Sequence, residues 1–259
     1  MENLILLQRH ANHSATLWIN RPDKRNALTV EMWAALPACV AEAVADPEIK
    51  LLFLRGAGGV FAAGADIAEM PQIYATPEAA LKNDEKIQNA MKALEDCPKP
   101  VIALIEGPCV GGGCGLALAC DLRIGVVGSR YGVTPAKLGL VYGAGDTRRL
   151  IQAVGLSKAK DILFTGRLLD CAEAMSSGLI DRLVATEELD EIASDYAAKI
   201  SAASVYSIRA QKQILAMLRG GCDDAEASRA LFGASFTGAD FKEGFAAFME
   251  KRPAQFTVR

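Results

Sequence analysis

Histidine is almost missing from this 259-residue chain, where His10 and His13 are the only two. Both fall in one N-terminal strand-and-turn stretch with no third ligand beside them. No metal site is expected there, and a Ser-His-Asp hydrolase is disfavoured. The seven cysteines (Cys39, Cys97, Cys109, Cys114, Cys120, Cys171 and Cys222) include no Cys-x-x-Cys pair. An odd number in small or apolar surroundings fits free thiols in a reducing cytosol better than a disulfide framework. Excess positive charge is lacking too: the formal net charge is −3, which leaves no overall basic footprint for nucleic acid. The start, Met1-Glu2-Asn3, shows no basic n-region or cleavage site, so no secretion signal is expected.

The longest weakly charged run is Val101 to Cys120, with Glu106 as its one charge. Pro108 and the five glycines at 107, 111, 112, 113 and 115 exclude a continuous spanning helix. A buried strand, a glycine turn and a buried helix from about Cys114 to Cys120 account for it instead. The run Gly111-Gly112-Gly113-Cys114-Gly115 lacks the Gly-x-Gly-x-x-Gly spacing of a dinucleotide fold. No Gly-Lys-Ser/Thr follows, so a P-loop is excluded as well. A strand, a glycine turn and a helix start nevertheless aim bare backbone N–H groups at one point. Such a point suits a phosphate, a carboxylate or a developing oxyanion.

What is present is a large apolar fraction, 51% against 23% charged, enough for one sizeable core. Strand candidates at Thr16–Asn20, Ile49–Arg55, Val101–Ile105 and Asp121–Val127 alternate with helical stretches, an α/β pattern. Thr29 is placed to cap a helix from about Val30 to Val44, with Pro37 suggesting a kink or break. Ala68–Leu94 reads as helical, interrupted at Pro71 and Pro77, as in a flap over a site. After about Ser201 strand signals vanish. The expected division is therefore 1–200 as the core and 201–259 as a helical appendage.

A second strand-to-loop unit, Ile49 to Arg55 running into Gly56-Ala57-Gly58-Gly59-Val60-Phe61-Ala62-Ala63-Gly64-Ala65-Asp66-Ile67, parallels the glycine run. With Asn20-Arg21-Pro22-Asp23-Lys24-Arg25-Asn26-Ala27-Leu28 and the closing Phe241–Pro253 segment, these motifs resemble the crotonase (enoyl-CoA hydratase/isomerase) superfamily over nearly the whole chain. The resemblance implies a spiral of ββα units, a C-terminal helical region for trimer or hexamer packing, and an acyl-CoA substrate. Coenzyme A enters as part of that substrate, with no resident cofactor. Neither a nucleic acid nor a membrane partner is implied.

By motif position, the resemblance assigns the backbone N–H groups of Ala65 and Gly112 to the thioester carbonyl and its enolate. It brings the nucleotide end of CoA to Asp23, Lys24 and Arg25, and other parts to Ala63, Asp66 and Ile67. Phe248 and Lys251 match positions that reach a neighbouring subunit's CoA. Taken alone, the basic residues fit solvated surface, Phe248 a core position, and Asp66 a local acceptor of backbone hydrogen bonds.

One departure stands out. Gly115 occupies the place of the family's first glutamate, and Pro135, in Tyr131-Gly132-Val133-Thr134-Pro135-Ala136-Lys137-Leu138-Gly139, that of the second. Neither side chain can move a proton, so hydration by two carboxylates is absent in its usual form. Asp146 is the leading replacement, with a helix N-cap as its other reading, and Tyr142 follows as hydrogen-bond donor or packing residue. Hydratase/lyase or isomerase chemistry is the family default. Decarboxylation, thioester hydrolysis and a CoA-thioester-binding scaffold are the alternatives.

Overall fold

The computed structural model describes residues 4–220 and 224–256, so Met1–Asn3 and Cys222 lie outside the described residues. Eight strands follow the order β1 (Ile5–Arg9), β2 (Ser14–Ile19), β3 (Leu51–Gly56), β4 (Val101–Ile105), β5 (Pro108–Val110), β6 (Leu122–Val126), β7 (Arg130–Gly132) and β8 (Arg182–Val184). Six form one sheet, β1-β2-β3-β4-β6-β8, while β5 and β7 pair separately. Of the pairings between these strands only β1–β2 is antiparallel; the others are parallel. Strand β4 reads Val-Ile-Ala-Leu-Ile and is buried throughout, as a parallel strand covered on both faces must be.

The helices are α1 (Val30–Ala45), α2 (Met70–Ile73), α3 (Pro77–Glu95), α4 (Gly112–Ala119), α5 (Ala144–Thr165), α6 (Cys171–Ser176), α7 (Leu189–Ser201), α8 (Val205–Arg219), α9 (Ala225–Ser235) and α10 (Ala239–Glu250). Thr29 caps α1, its side chain accepting from Met32 N–H. Pro37 does not break α1, which runs unbroken from Val30 to Ala45. Pro71 and Pro77 sit instead in the first turns of α2 and α3, where a missing N–H costs nothing.

The ββα spiral is visible in the pairing. Strands β3, β4 and β6 each continue into a second short extended piece. These pieces pair with one another, Ala62 with Cys109 and β5 with β7, and Leu169, which follows α5, adds an antiparallel bridge to Tyr131. Each turn of the spiral thus gives one strand to the large sheet, one to this narrow second ladder, and then a helix. After Ser201 the described residues form α8, α9 and α10 alone.

Close packing of α4 on the ladder depends on Gly113, where a Cβ would lie 2.7 Å from both Ala62 Cβ and Ala62 O. Gly113→Ala is expected to destabilise the chain by about 1–3 kcal/mol through overpacking. Urea titration checks this; an unchanged midpoint would show that the ladder yields.

Candidate active site

The site forms where two loops meet, glycine against glycine. Gly64 has φ +112° and Gly111 φ +55°, backbone that L side chains rarely adopt. A Cβ on Gly111 would stand 3.9 Å from Gly64 Cα, and one on Gly64 would stand 3.2 Å from Val110 O. The chain therefore brings the two loops together with nothing between them.

Hydrogen bonding then fixes where their donors point. Leu28 N–H donates to Gly64 O at 2.8 Å, and Asp66 N–H donates to Leu28 O at 2.9 Å. In such a parallel bridge the flanking residues use the partner strand, so Ala65 turns its own N–H to the other side. That N–H has no acceptor among the described residues. Gly112 is the first residue of α4, so its N–H belongs to the unpaired first turn at the positive end of the helix. Gly112 also needs no side chain, since a Cβ there would sit 2.9 Å from Trp33 Cζ2.

Both residues line one cavity of about 670 Å³, shared with Ala63, Ile67, Pro135, Tyr142 and Asp146. Helix α3 supplies another wall through Asn83, Asp84, Ile87 and Met91. The rim is apolar and exposed at Ile67, Leu81, Leu138 and Val141.

The space beside the first glutamate position is occupied by neighbouring side chains. A Cβ at Gly115 would lie 2.5 Å from Met91 Cε and 3.3 Å from Tyr142 Oη. The space of a side chain at 115 is thus taken by Met91 from α3 and Tyr142 from the loop before α5. Tyr142 Oη is buried and has no hydrogen-bond partner among the described residues. Burial raises its pKa well above the ordinary tyrosine value, with Cys114 and Asp146 adding to the shift. Pro135 opens a 3₁₀ turn, Pro135–Leu138, in the cavity wall.

Asp146 is not an N-cap. Gly143 takes that position, and Asp146 lies inside the first turn of α5, only 4% exposed. Its Oδ2 accepts from Gln88 Nε2 at 3.0 Å, and its Oδ1 from Arg149 Nη1 at 3.0 Å. Arg149 is itself shared with Glu95, at 3.1 Å, and Glu95 is further paired with Arg219 at 2.9 Å. Burial dominates and raises the Asp146 pKa; the nearby Asp84 pushes the same way, against Gln88 and Arg149.

The remaining sequence-predicted residues lie around or outside the cavity. Asp23, Lys24 and Arg25 are exposed on the 3₁₀ turn Pro22–Lys24 and its cap. Arg25 O receives Ala63 N–H at 3.0 Å, which ties this basic loop to the site. Asp66 pairs with Arg21 at 2.5 Å and accepts from Ala68 N–H at 2.9 Å. These contacts, Arg21 first, lower its pKa. Phe248 is 80% exposed on α10 rather than buried in the core of its own chain. Lys251 ends that helix at φ +56°.

Sequence reasoning missed Asn26, Asn83, Asp84 and Gln88. Asn26 welds the basic loop to the next one, donating to Ala57 O at 2.9 Å and to Val60 O, and accepting from Arg21 N–H. Its φ of +54° follows a basic run that drew attention to the charges instead. Asn83, Asp84 and Gln88 lie within a polar-looking helical stretch whose inward face no local pattern marks.

Comparison with known proteins gives one consistent result. The family model described as Enoyl-CoA hydratase/isomerase matches residues 10–259. A crotonyl-CoA hydratase of Syntrophomonas wolfei is 35% identical over 260 residues, covering 98% of both chains. A structure described as an enoyl-CoA hydratase/isomerase family protein from Hyphomonas neptunium superposes with a TM-score of 0.96 at 51% identity. It covers 100% of this chain and 99% of the other. One described as an enoyl-CoA hydratase/carnithine racemase from Magnetospirillum magneticum gives 0.95 at 35%, covering 100% and 97%.

Since Met91 and Tyr142 fill the space beside Gly115, Gly115→Glu alone is expected to cost about 1–3 kcal/mol of stability. Gly115→Glu with Met91→Ala and Tyr142→Ala should recover part of that loss. Thermal melts of both variants check this; a single variant as stable as the native chain would disprove the filled space.

Proposed function

Because the chain belongs to the enoyl-CoA hydratase/isomerase family, we propose that it acts on acyl-CoA thioesters through an enolate held by the Ala65 and Gly112 N–H groups. The observation that carries this reading is the glycine-to-glycine junction, which leaves those two donors at one cavity. Removing a proton next to the thioester carbonyl drives negative charge onto its oxygen. One preorganised donor is worth about 3–4 kcal/mol there. Asp23, Lys24 and Arg25 receive the CoA phosphates at the rim, with Ala63, Asp66 and Ile67 along the path. Coenzyme A arrives with the substrate, and no resident cofactor is invoked.

Proton delivery falls to Asp146, whose burial favours the protonated carboxyl, with Tyr142 as hydrogen-bond donor. With Gly115 and Pro135 in place of two glutamates, the chemistry favoured is movement of a double bond rather than addition of water. Isomerisation needs protons shifted between carbons of the acyl chain, and no positioned water. Decarboxylation and thioester hydrolysis are the competing outcomes, separated by a panel of acyl-CoAs; a scaffold would bind them without turnover.

Assembly as a trimer or hexamer is part of the proposal. Phe241, Phe245 and Phe248 are exposed at 46, 59 and 80%, and Phe232, Phe236 and Phe241 form an edge-to-face run with centroids 5.0 and 5.6 Å apart. A face of that kind calls for burial against another chain. It would also bring Phe248 and Lys251 to a neighbour's CoA. Among the described residues no helix is long and apolar enough to cross a membrane; a cytoplasmic location is proposed from the free thiols. Light scattering should give three or six chains, and a stable monomer at micromolar concentration would remove the case for Lys251 in trans.

Two kinetic outcomes test the chemistry. Crotonyl-CoA hydration should fall short of a two-glutamate enzyme by about 10²–10⁴-fold, the usual contribution of positioned acid–base groups. Double-bond isomerisation should lose kcat/KM as pH rises through the raised Asp146 pKa, because the donor form is lost. The fall begins above the ordinary aspartate value of about 4. Asp146→Asn should abolish this limb together with most of the rate. Survival of both in the variant would place the donor elsewhere.

A further inference from the structure

Two carboxylates, not one, reach the cavity wall, and a single amide joins them. Gln88 Nε2 donates to Asp146 Oδ2 at 3.0 Å and to Asp84 Oδ1 at 3.3 Å. The two oxygens therefore lie within about 6 Å of each other, the span of two hydrogen bonds. Gly143 marks the meeting point: a Cβ there would stand 3.1 Å from Asp146 Oδ2, 3.3 Å from Gln88 Nε2 and 3.6 Å from Asp84 Oδ1. A side chain at 143 would crowd all three groups. Asp84 comes from α3 and Asp146 from α5, so the pair is made by tertiary packing alone.

Their surroundings differ sharply. Asp146 is buried, while Asp84 is exposed to solvent. Paired carboxyl groups in unlike environments take opposite roles, the buried one holding a proton and the wet one accepting it. A second feature marks the same wall. Asn83, one residue before Asp84, is 9% exposed, and its Oδ1 has no hydrogen-bond partner among the described residues. Tyr142 Oη, also unpartnered, faces Gly115 on the other side. Buried polar atoms without partners are uncommon in a finished protein interior, and both line this cavity.

We propose that Asp84 is the proton acceptor of this site and Asp146 its donor, with Gln88 holding the two carboxyl groups in register. This rests on the enolate reading above and adds the missing base. In the shift of a 3-enoyl thioester, Asp84 carboxylate takes a proton from Cα. The C–H electron pair forms the Cα=C1 bond, and the carbonyl pair moves onto the oxygen held by Ala65 and Gly112. Asp146 then gives its proton to Cγ. The oxygen pair returns to remake the carbonyl, and the double bond passes from Cβ=Cγ to Cα=Cβ. Asp84 releases its proton to water, Asp146 takes one up, and the cycle closes. The acid–base work of the two absent glutamates is thus transferred to the opposite wall, on α3 and α5.

The two roles separate in partial reactions. Exchange of the α-protons of butyryl-CoA in D2O, followed by NMR, needs the acceptor and the enolate but not delivery to Cγ. Isomerisation of 3-hexenoyl-CoA needs both groups. Asp84→Asn should lower both by at least 100-fold with little change in KM, as expected for an exposed side chain that can be replaced without unfolding. Asp146→Asn should keep exchange within about threefold of native while losing isomerisation by at least 100-fold. Asp84→Glu should recover part of both activities. If Asp84→Asn exchanges and isomerises like the native chain, while Asp146→Asn loses both, a single carboxyl does all the work and the pair is overturned. If the native chain does neither reaction, the enolate reading itself falls, and the pair with it.

Discussion

The contact of Gly64 with Gly111 is the constraint on which the site depends. Two strand-to-loop units of the spiral run side by side, and their loops meet at two residues whose positive φ favours glycine. Pairing on either side then orients the donors without touching them. Leu28 binds the residues flanking Ala65, and α4 begins at Gly112. Both residues beside Ala65 are bonded to Leu28, and Gly111, before Gly112, donates its N–H to Gly132 O. Backbone donors fixed in this way are preorganised for an incoming negative charge, as flexible side chains are not.

The charge distribution follows from how Arg149 is buried. A guanidinium only 5% exposed must be paired and hydrogen-bonded to be tolerated. Glu95 meets it on one face and Asp146 on the other. Glu95 also serves Arg219, so its one charge is divided between two cations and Arg149 draws on Asp146 as well. Burial and Arg149 therefore act on the Asp146 carboxyl in opposite senses, burial favouring the protonated form and the guanidinium the ionised one.

The sequence was most legible where backbone chemistry decides the outcome. Glycine turns after strands, the Thr29 cap and the helical end of the chain announce themselves locally. Pro37 misled, because packing of α1 against the core outweighed one lost hydrogen bond. Asp146 was readable as a carboxylate but not as a buried one. Its fate depends on α3, some sixty residues earlier, and on a glycine at 143 that looks like any other turn residue. Asp84 and Gln88 were invisible for the same reason: an i, i+4 polar pair on a helix normally marks a solvated face. Phe248 was legible only as apolar; its exposure on α10 is a property of the tertiary arrangement.

The division of labour within the cavity has a chemical consequence. Its rim and flap are largely apolar, with Ile67, Leu81, Leu138 and Val141 open to solvent. Walls of this kind discriminate weakly, since a methylene more or less is worth only about 1–3 kcal/mol. On the proposed reading, binding energy drawn from the remote parts of a CoA thioester is spread over many acyl groups. Choice of reaction is set elsewhere, by the few polar atoms that meet the reacting carbons. On the proposed reading, Gly115 and Pro135 leave the Ala65 and Gly112 donors in place and move the proton chemistry to other residues. A fold read in this way changes its chemistry without altering how it holds the thioester, because the two functions then reside on different elements of the spiral.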